Sequence, residues 1–172
     1  MKVVILAGGK GTRLSEYTKT IPKPMTKIHK FPIIIYIMKH YAKYGFKDFI
    51  IATGYKKNVI EKYFKRKFFD WNIKLVNTGK ETMTGGRIKR LKKIIKNETF
   101  MLTYGDGLSD VNLKKLLLFH YKNKATVTLT AVRPPSRFGA ISLKGNKVTV
   151  FREKSSLDSG WINGGFFVME PE

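Results

Sequence analysis

The chain has 172 residues, 42% of them apolar and 13% aromatic, a length and composition that suit one domain with a buried core. It has no cysteine, which excludes disulfides and thiol chemistry, and charges interrupt every apolar stretch before it reaches membrane-spanning length. The net charge of +22 admits a polyanion-binding reading, but the lysines are spread along the whole chain and no basic block exceeds the three residues Lys65-Arg66-Lys67. No DNA- or RNA-binding motif is found, so the expectation is a solvated lysine surface with no specific nucleic acid and no membrane as partner. The chain starts Met-Lys and enters a strand directly, with no signal peptide, and a cytoplasmic location is expected.

The first element is the apolar run Val3 to Ala7, which suits a fully buried strand of a parallel sheet. It breaks into Gly8, Gly9 and Gly11, followed by Thr12 and Arg13, and Lys23 comes next between Pro22 and Pro24. Pro32 reads as a first-turn proline. Ile33, Ile34, Ile37, Met38, Tyr41 and Ala42 then make a helical stripe that Gly45 ends. Asp48 to Thr53 is a second strand, and Gly54-Tyr55 turns into a helix through Val59, Ile60, Tyr63 and Phe64. Ile73 to Asn77 is a third strand and Thr78 to Thr84 a polar loop. Gly85-Gly86-Arg87 opens a helix carrying Ile88, Leu91, Ile94 and Ile95. Thr99 to Tyr104 is a fourth strand ending in Gly105-Asp106-Gly107, and Ser109 or Asp110 is the expected cap of a helix through Leu113, Leu116, Leu117 and His120. Ala125 to Val132 is a fifth strand. Ala140 to Leu143 and Lys147 to Phe151 flank Gly145-Asn146 as an antiparallel hairpin, and Gly164 to Met169 is one more strand. The alternation predicts an α/β fold: an open, mostly parallel, Rossmann-like sheet with helices on both faces and an antiparallel hairpin near the carboxyl end.

In such a sheet, ligands sit beyond the carboxyl ends of the strands. Gly8, Gly9 and Gly11 let the backbone turn tightly and point several N–H groups one way, which suits phosphate, although the same glycines also suit a plain strand–helix turn. They match neither the P-loop pattern nor the dinucleotide fingerprint, since Thr53-Gly54-Tyr55 stands where an acidic residue should hold a ribose. Arg13 adds a forked cation, and Lys23, restricted by prolines on both sides, is a candidate second cation on the same anion. Asp106 reads either as a turn aspartate or as a carboxylate holding Mg2+ beside phosphates. Gly85-Gly86-Arg87 is either a flexible helix entry or a place where backbone approaches a flat ligand such as a nucleobase. Gly139 allows a similar approach to a substrate. Glu153-Lys154 is an exposed ion pair or, as a functional pair, Lys154 on a second phosphate and Glu153 on a sugar hydroxyl. Asn163 and Gly164 could add hydrogen bonds to a sugar. His29, His40 and His120 lack ligand spacing, and no serine has a nucleophile–base partner.

The combination Leu-Ala-Gly-Gly-x-Gly-Thr-Arg-Leu with Pro22-Lys23-Pro24 resembles the signature of the sugar-1-phosphate nucleotidyltransferases. Within that family the chain is most similar to the glucose-1-phosphate cytidylyltransferases. The residues behind that likeness are Met83 to Arg90, Thr103 to Gly107, Arg137 to Ala140 and Ile162 to Phe167. The resemblance implies transfer of a cytidylyl group from CTP to α-D-glucose 1-phosphate, giving CDP-glucose and pyrophosphate with Mg2+ as cofactor. The alternatives are transfer from another nucleoside triphosphate (dTTP, UTP or GTP) and a truncated domain that binds nucleotide without turnover. The resemblance implies that Leu6, Ala7, Gly8, Gly9, Lys10, Gly11, Thr12 and Arg13 wrap the nucleotide, and that Arg13 and Lys23 contact phosphate. Thr82, Gly85, Gly86, Arg87 and Gly105 would belong to the nucleotide site, with Asp106 on Mg2+. Glu153, Lys154, Asn163, Gly139 and Gly164 would face the glucose phosphate. It also implies that family members continue past Glu172 and take a second metal carboxylate from there. Residues 1–172 are expected to form one nucleotidyltransferase domain, with a homo-oligomer as a possible assembly.

Overall fold

The computed structural model describes residues 1–11, 20–65, 69–134, 140–152 and 160–171. Strand β1 (Lys2–Leu6) lies in the middle of its sheet, parallel to β4 (Asp48–Thr53) on one side and β6 (Phe100–Tyr104) on the other. Strand β5 (Asn72–Asn77) adds in parallel outside β4. The register sets Leu6 against Ala52 and Tyr104, and Thr53 against Asn77, so four strands finish at one edge. Two short strands, β2 (Lys27–Ile28) and β3 (Phe31–Pro32), pair with each other between β1 and the first helix. Strand β7 (Val127–Val132) and strand β10 (Ile162–Met169) complete the six-stranded order β5-β4-β1-β6-β10-β7. Strand β10 runs antiparallel to β6, with Phe166 opposite Thr103.

Both faces of the central strands β1, β4 and β6 are covered, which explains their unbroken apolar runs. Val3, Ile5, Phe49, Ile51 and Met101 point to one face. There they meet Ile34, Ile37, Met38 and Tyr41 of α1 (Ile33–Lys43), Ile60 of α2 (Lys57–Phe64) and Leu113 of α5 (Leu113–Asn123). Val4, Ile50, Ala52 and Leu102 point to the other, against Leu91 and Ile95 around α3 (Thr84–Arg90) and α4 (Lys92–Ile95). The expected single helix after Gly85 is therefore two short ones, broken at Leu91. The cap of α5 is Asn112, whose side-chain oxygen accepts from the Lys115 N–H; Ser109 instead accepts from the Val111 N–H one turn earlier. Helix α1 starts after Pro32 and its chain leaves through Gly45 at φ +89°, as expected of a glycine there.

The chain divides into two compact units, residues 1–128 with 165–172, and residues 129–164. The second unit contains the antiparallel pair β8 (Ala140–Lys144) and β9 (Lys147–Arg152), turning at Gly145 with φ +60°. The pairing slips between Ser142 and Leu143, where Val150 and Val148 are the partners and Thr149 is left over as a bulge. Among the described residues, no helix is long and apolar enough to cross a membrane.

Candidate active site

A cavity of about 450 Å³ opens at the carboxyl edge of the parallel strands. The glycine loop after β1 forms one side. The others come from Lys23-Pro24, from the segment 80–84 with Arg87, and from Tyr104 at the end of β6 with Asp106 just after it. Sheet-like hydrogen bonds continue past the strands and hold these loops in place. The Ala7 N–H donates to Ala52 O, the Gly105 N–H to Leu6 O, and the Tyr55 N–H to Gly8 O. Lys23 lies in a 3-10 turn (Lys23–Met25) that Pro22 initiates, with Pro24 buried beneath it. A Cβ on Gly105 would stand 2.8 Å from that proline ring, so the bare backbone of the Gly-Asp-Gly turn lets the Lys23 turn pack down on β6.

Two ion pairs lie on the cavity wall. Lys23 Nζ stands 3.7 Å from Asp106 Oδ2, with the lysine mostly buried and the carboxylate about half exposed. Lys10, on the glycine loop, forms a 2.6 Å ion pair with Glu81 from the facing segment, and both side chains are exposed. The hydrogen bond from Lys10 holds the Glu81 carboxyl below its ordinary range, with the charge of Lys80 adding to the effect.

Arg87 is buried, 4% exposed, and its guanidinium faces inward. Nη1 donates to Thr78 Oγ1 and Gly79 O, each at 2.7 Å, and to Thr53 O at 3.3 Å. Nη2 donates to Gly8 O at 2.8 Å and reaches Lys80 O at 3.5 Å. One side chain thus ties together the loops after β1, β4 and β5. Burial pushes its pKa down, and the nearby Arg90 charge pushes the same way. A Cβ on Gly8 would overlap this guanidinium, and one on Gly54 would stand 2.5 Å from Nη1 and from Gly79 O. Those two glycines therefore make room for Arg87. A Cβ on Gly9 would meet nothing within 4 Å among the described residues, so that position leaves its space open to a ligand.

Of the predicted nucleotide-site residues, Leu6, Ala7, Gly8, Gly9, Lys10, Gly11, Lys23, Thr82, Arg87 and Asp106 all line the cavity. Gly105 lies behind that lining against Pro24, and Gly86 against the Thr82 methyl group, at 2.9 Å from a hypothetical Cβ. Gly85 has open space around it and is not part of the wall. Thr12, Arg13, Gly139, Glu153 and Lys154 lie outside the described residues. Asn163 and Gly164 belong to β10 in the second unit, where a Gly164 Cβ would crowd Thr130 O of β7 at 2.9 Å. Lys80, Glu81, Met83 and Thr84, from the polar loop that follows the third strand of the sequence, and Tyr104 also line the cavity, as the strand-end rule leads one to expect. The carboxylates on the wall are Asp106 and Glu81, and among the described residues no group of three or more His, Cys, Asp or Glu could hold a metal. Mg2+ commonly takes one or two carboxylates and completes its shell with phosphate oxygens and water. Asp106, at the head of a cation-lined cavity, fits that donor set. The histidines are structural or exposed. His40 bonds Val111 O at 3.0 Å and His120 is buried between Thr128 and Glu170, while His29 is exposed in a turn at φ +51°.

A doubly wound sheet with its glycine loop, cations and a carboxylate gathered beyond the strand ends is the α/β class that takes ligands at that edge. The nucleotidyl transferase family model matches residues 2–172, and the chain belongs to that family. It is 45% identical to the glucose-1-phosphate cytidylyltransferase of Salmonella typhimurium, over 99% of this chain and 76% of the relative. It is 36% identical to the D-glycero-alpha-D-manno-heptose 1-phosphate guanylyltransferase of Campylobacter jejuni, over 98% of this chain and 76% of that one. Among solved structures, HddC from Yersinia pseudotuberculosis in complex with GMP-PN superposes with a TM-score of 0.74 at 26% identity, covering 99% of this chain and 76% of HddC. The relatives are sugar-1-phosphate nucleotidyltransferases, and this chain is an enzyme of that class.

Proposed function

We propose that the cavity binds CTP and α-D-glucose 1-phosphate with Mg2+, and that the chain, acting as one nucleotidyltransferase domain, produces CDP-glucose and pyrophosphate. The observation that carries this reading is the cavity wall itself. Backbone of the glycine loop, Lys10, Lys23 and Asp106 converge on a space large enough for a nucleotide, in a chain whose 45%-identical relative is a cytidylyltransferase.

The chemistry asks little covalent work of the protein. An oxygen of the sugar phosphate is already an anionic nucleophile. It attacks the α-phosphorus of CTP in line, an O–Pα bond forms, and the Pα–O bond to the β-phosphate breaks. The bonding pair leaves with pyrophosphate, and no general base is required. The gain comes from positioning and from charge stabilisation. In this scheme the N–H groups of the glycine loop hold the triphosphate. Lys23 and Arg13 neutralise charge that builds on the transferred phosphoryl oxygens. When bound at Asp106, Mg2+ supplies further neutralisation of the phosphates. Lys23, 3.7 Å from that carboxylate, then exchanges it for phosphate.

The guanylyltransferase likeness favours a second reading, the same transfer from another nucleoside triphosphate. Pyrophosphate release with glucose 1-phosphate and Mg2+, compared across CTP, dTTP, UTP and GTP, separates the two. Release with CTP that disappears in Lys23→Ala supports the first reading. Release with another nucleotide supports the second, and stabilisation by a nucleotide without release would reduce the function to binding.

A further inference from the structure

Arg90 is exposed and lies outside the cavity lining, one turn beyond Arg87 on α3. Its guanidinium is nevertheless fixed. Nη1 donates to Thr78 O at 2.5 Å and to Thr82 Oγ1 at 2.7 Å. Thr82, unlike Arg90, faces the cavity. Two glycines clear the space for this pair. Gly79 adopts φ +91°, and a Cβ there would overlap Arg90 Nη1 and stand 2.7 Å from Thr82 Oγ1. A Cβ on Gly86 would stand 2.9 Å from Thr82 Cγ2. The threonine is thereby held on its methyl side by Gly86 and on its hydroxyl side by Gly79 and Arg90.

A hydroxyl has one proton to donate and two lone pairs. The Arg90 N–H occupies one lone pair, and its positive charge strengthens the O–H as a donor. We infer that Arg90 is a positioning residue for the nucleotide: it sets the Thr82 hydroxyl as a donor aimed into the cavity, toward an acceptor oxygen or nitrogen of the bound nucleotide, without touching the nucleotide itself. The inference rests on the nucleotide site proposed above. It gives Arg90 an effect on nucleotide binding that runs wholly through Thr82.

Calorimetric titration with CTP, together with initial rates, tests this on wild type, Arg90→Met, Arg90→Lys, Thr82→Val and the Arg90→Met/Thr82→Val pair. Arg90→Met and Thr82→Val should each weaken CTP binding by about three- to ten-fold, the net worth of one hydrogen bond from a neutral hydroxyl. KM for CTP should rise in parallel while kcat stays within about two-fold. The double variant should be no weaker than Thr82→Val alone, and Arg90→Lys should recover part of the loss. Multiplying effects in the double variant, or an Arg90→Met protein that binds CTP like wild type, would overturn the inference while leaving the nucleotide site standing. Wild type that binds no nucleoside triphosphate would overturn both. A folding defect in Arg90→Met shows in its melting curve, and the comparison then passes to Arg90→Lys, where an unchanged CTP affinity after loss of the planar fork is the adverse result.

Discussion

Replacing Arg87 by methionine keeps the stem of the side chain and removes the fork that joins three loops. The structure allows the loss to be worked out partner by partner. Thr53 O would keep the Thr78 N–H and O–H, and Gly8 O would keep the Tyr55 N–H. Gly79 O has Arg87 as its donor among the described residues, and Gly79 is only partly exposed. Three bonds of 2.7–2.8 Å from a cation disappear, together with the tie between residues 79 apart in sequence. Each charged hydrogen bond contributes roughly 1.5–3 kcal/mol, offset in part because the buried guanidinium no longer has to be desolvated. We expect a net loss of about 3 kcal/mol, which for a domain of this size lowers the melting temperature by about 6–12 °C. Thermal and urea unfolding without nucleotide would measure it. Arg87→Lys, with one compact ammonium, can reach only part of the set and should fall in between. If Arg87→Met melted within about 1 °C of wild type and lost only nucleotide affinity, the clamp would be refuted and Arg87 would be a ligand of the nucleotide alone.

Gly54→Ala should lower stability by about 2 kcal/mol in the same unfolding assay, because its Cβ meets the clamped guanidinium and two backbone carbonyls at 2.5–2.8 Å, none of which can step aside. Lys23→Ala should slow pyrophosphate release by about 100-fold or more with little change in melting temperature, as expected for a cation acting on the transferred phosphate. Asp106→Asn should raise the Mg2+ concentration needed for half-maximal rate; an unchanged Mg2+ titration would remove the metal role from that residue. Glu81→Gln should tighten triphosphate binding and steepen its salt dependence, since it frees Lys10 for the polyanion and removes a carboxylate from its site. The gain should be greater for CTP than for CMP, and weaker binding of CTP by this variant would contradict the argument.

The parallel core was legible because its signal is local. The runs around Val3, Ile50 and Met101 are apolar on both faces, and the loops that follow them carry glycine or an isolated charge. Periodicity also placed the stripes of α1 and α5. It could not choose the cap of α5, because Ser109, Asp110 and Asn112 are all competent, and the register of Leu113 in the core decides for Asn112. Nor could it place β10 between β6 and β7, since strand order depends on pairings between residues far apart in the sequence, such as Phe166 with Thr103. A run such as Gly164 to Met169 reads the same in any of those positions.

The glycines show where motif reasoning stops and contact reasoning begins. Read along the chain, Gly8 and Gly9 cannot be told apart: both suit close approach of a phosphate, and both suit a tight strand–helix turn. In three dimensions they differ: Gly8 is required by a guanidinium that comes from a helix 79 residues later, and Gly9 faces open space. Arg87 in turn reads along the chain as a nucleotide contact beside two glycines, whereas its hydrogen bonds go to the backbone of the loops that shape the cavity. The Gly-Gly-Arg segment and the amino-terminal glycine loop are therefore one device. Besides lining the cavity, Gly8 makes room with Gly54 for the Arg87 guanidinium, which could not reach Gly8 O if either carried a side chain. A signature that spans both segments carries more information than either half, because the two halves are coupled by a contact and not merely by a shared ligand.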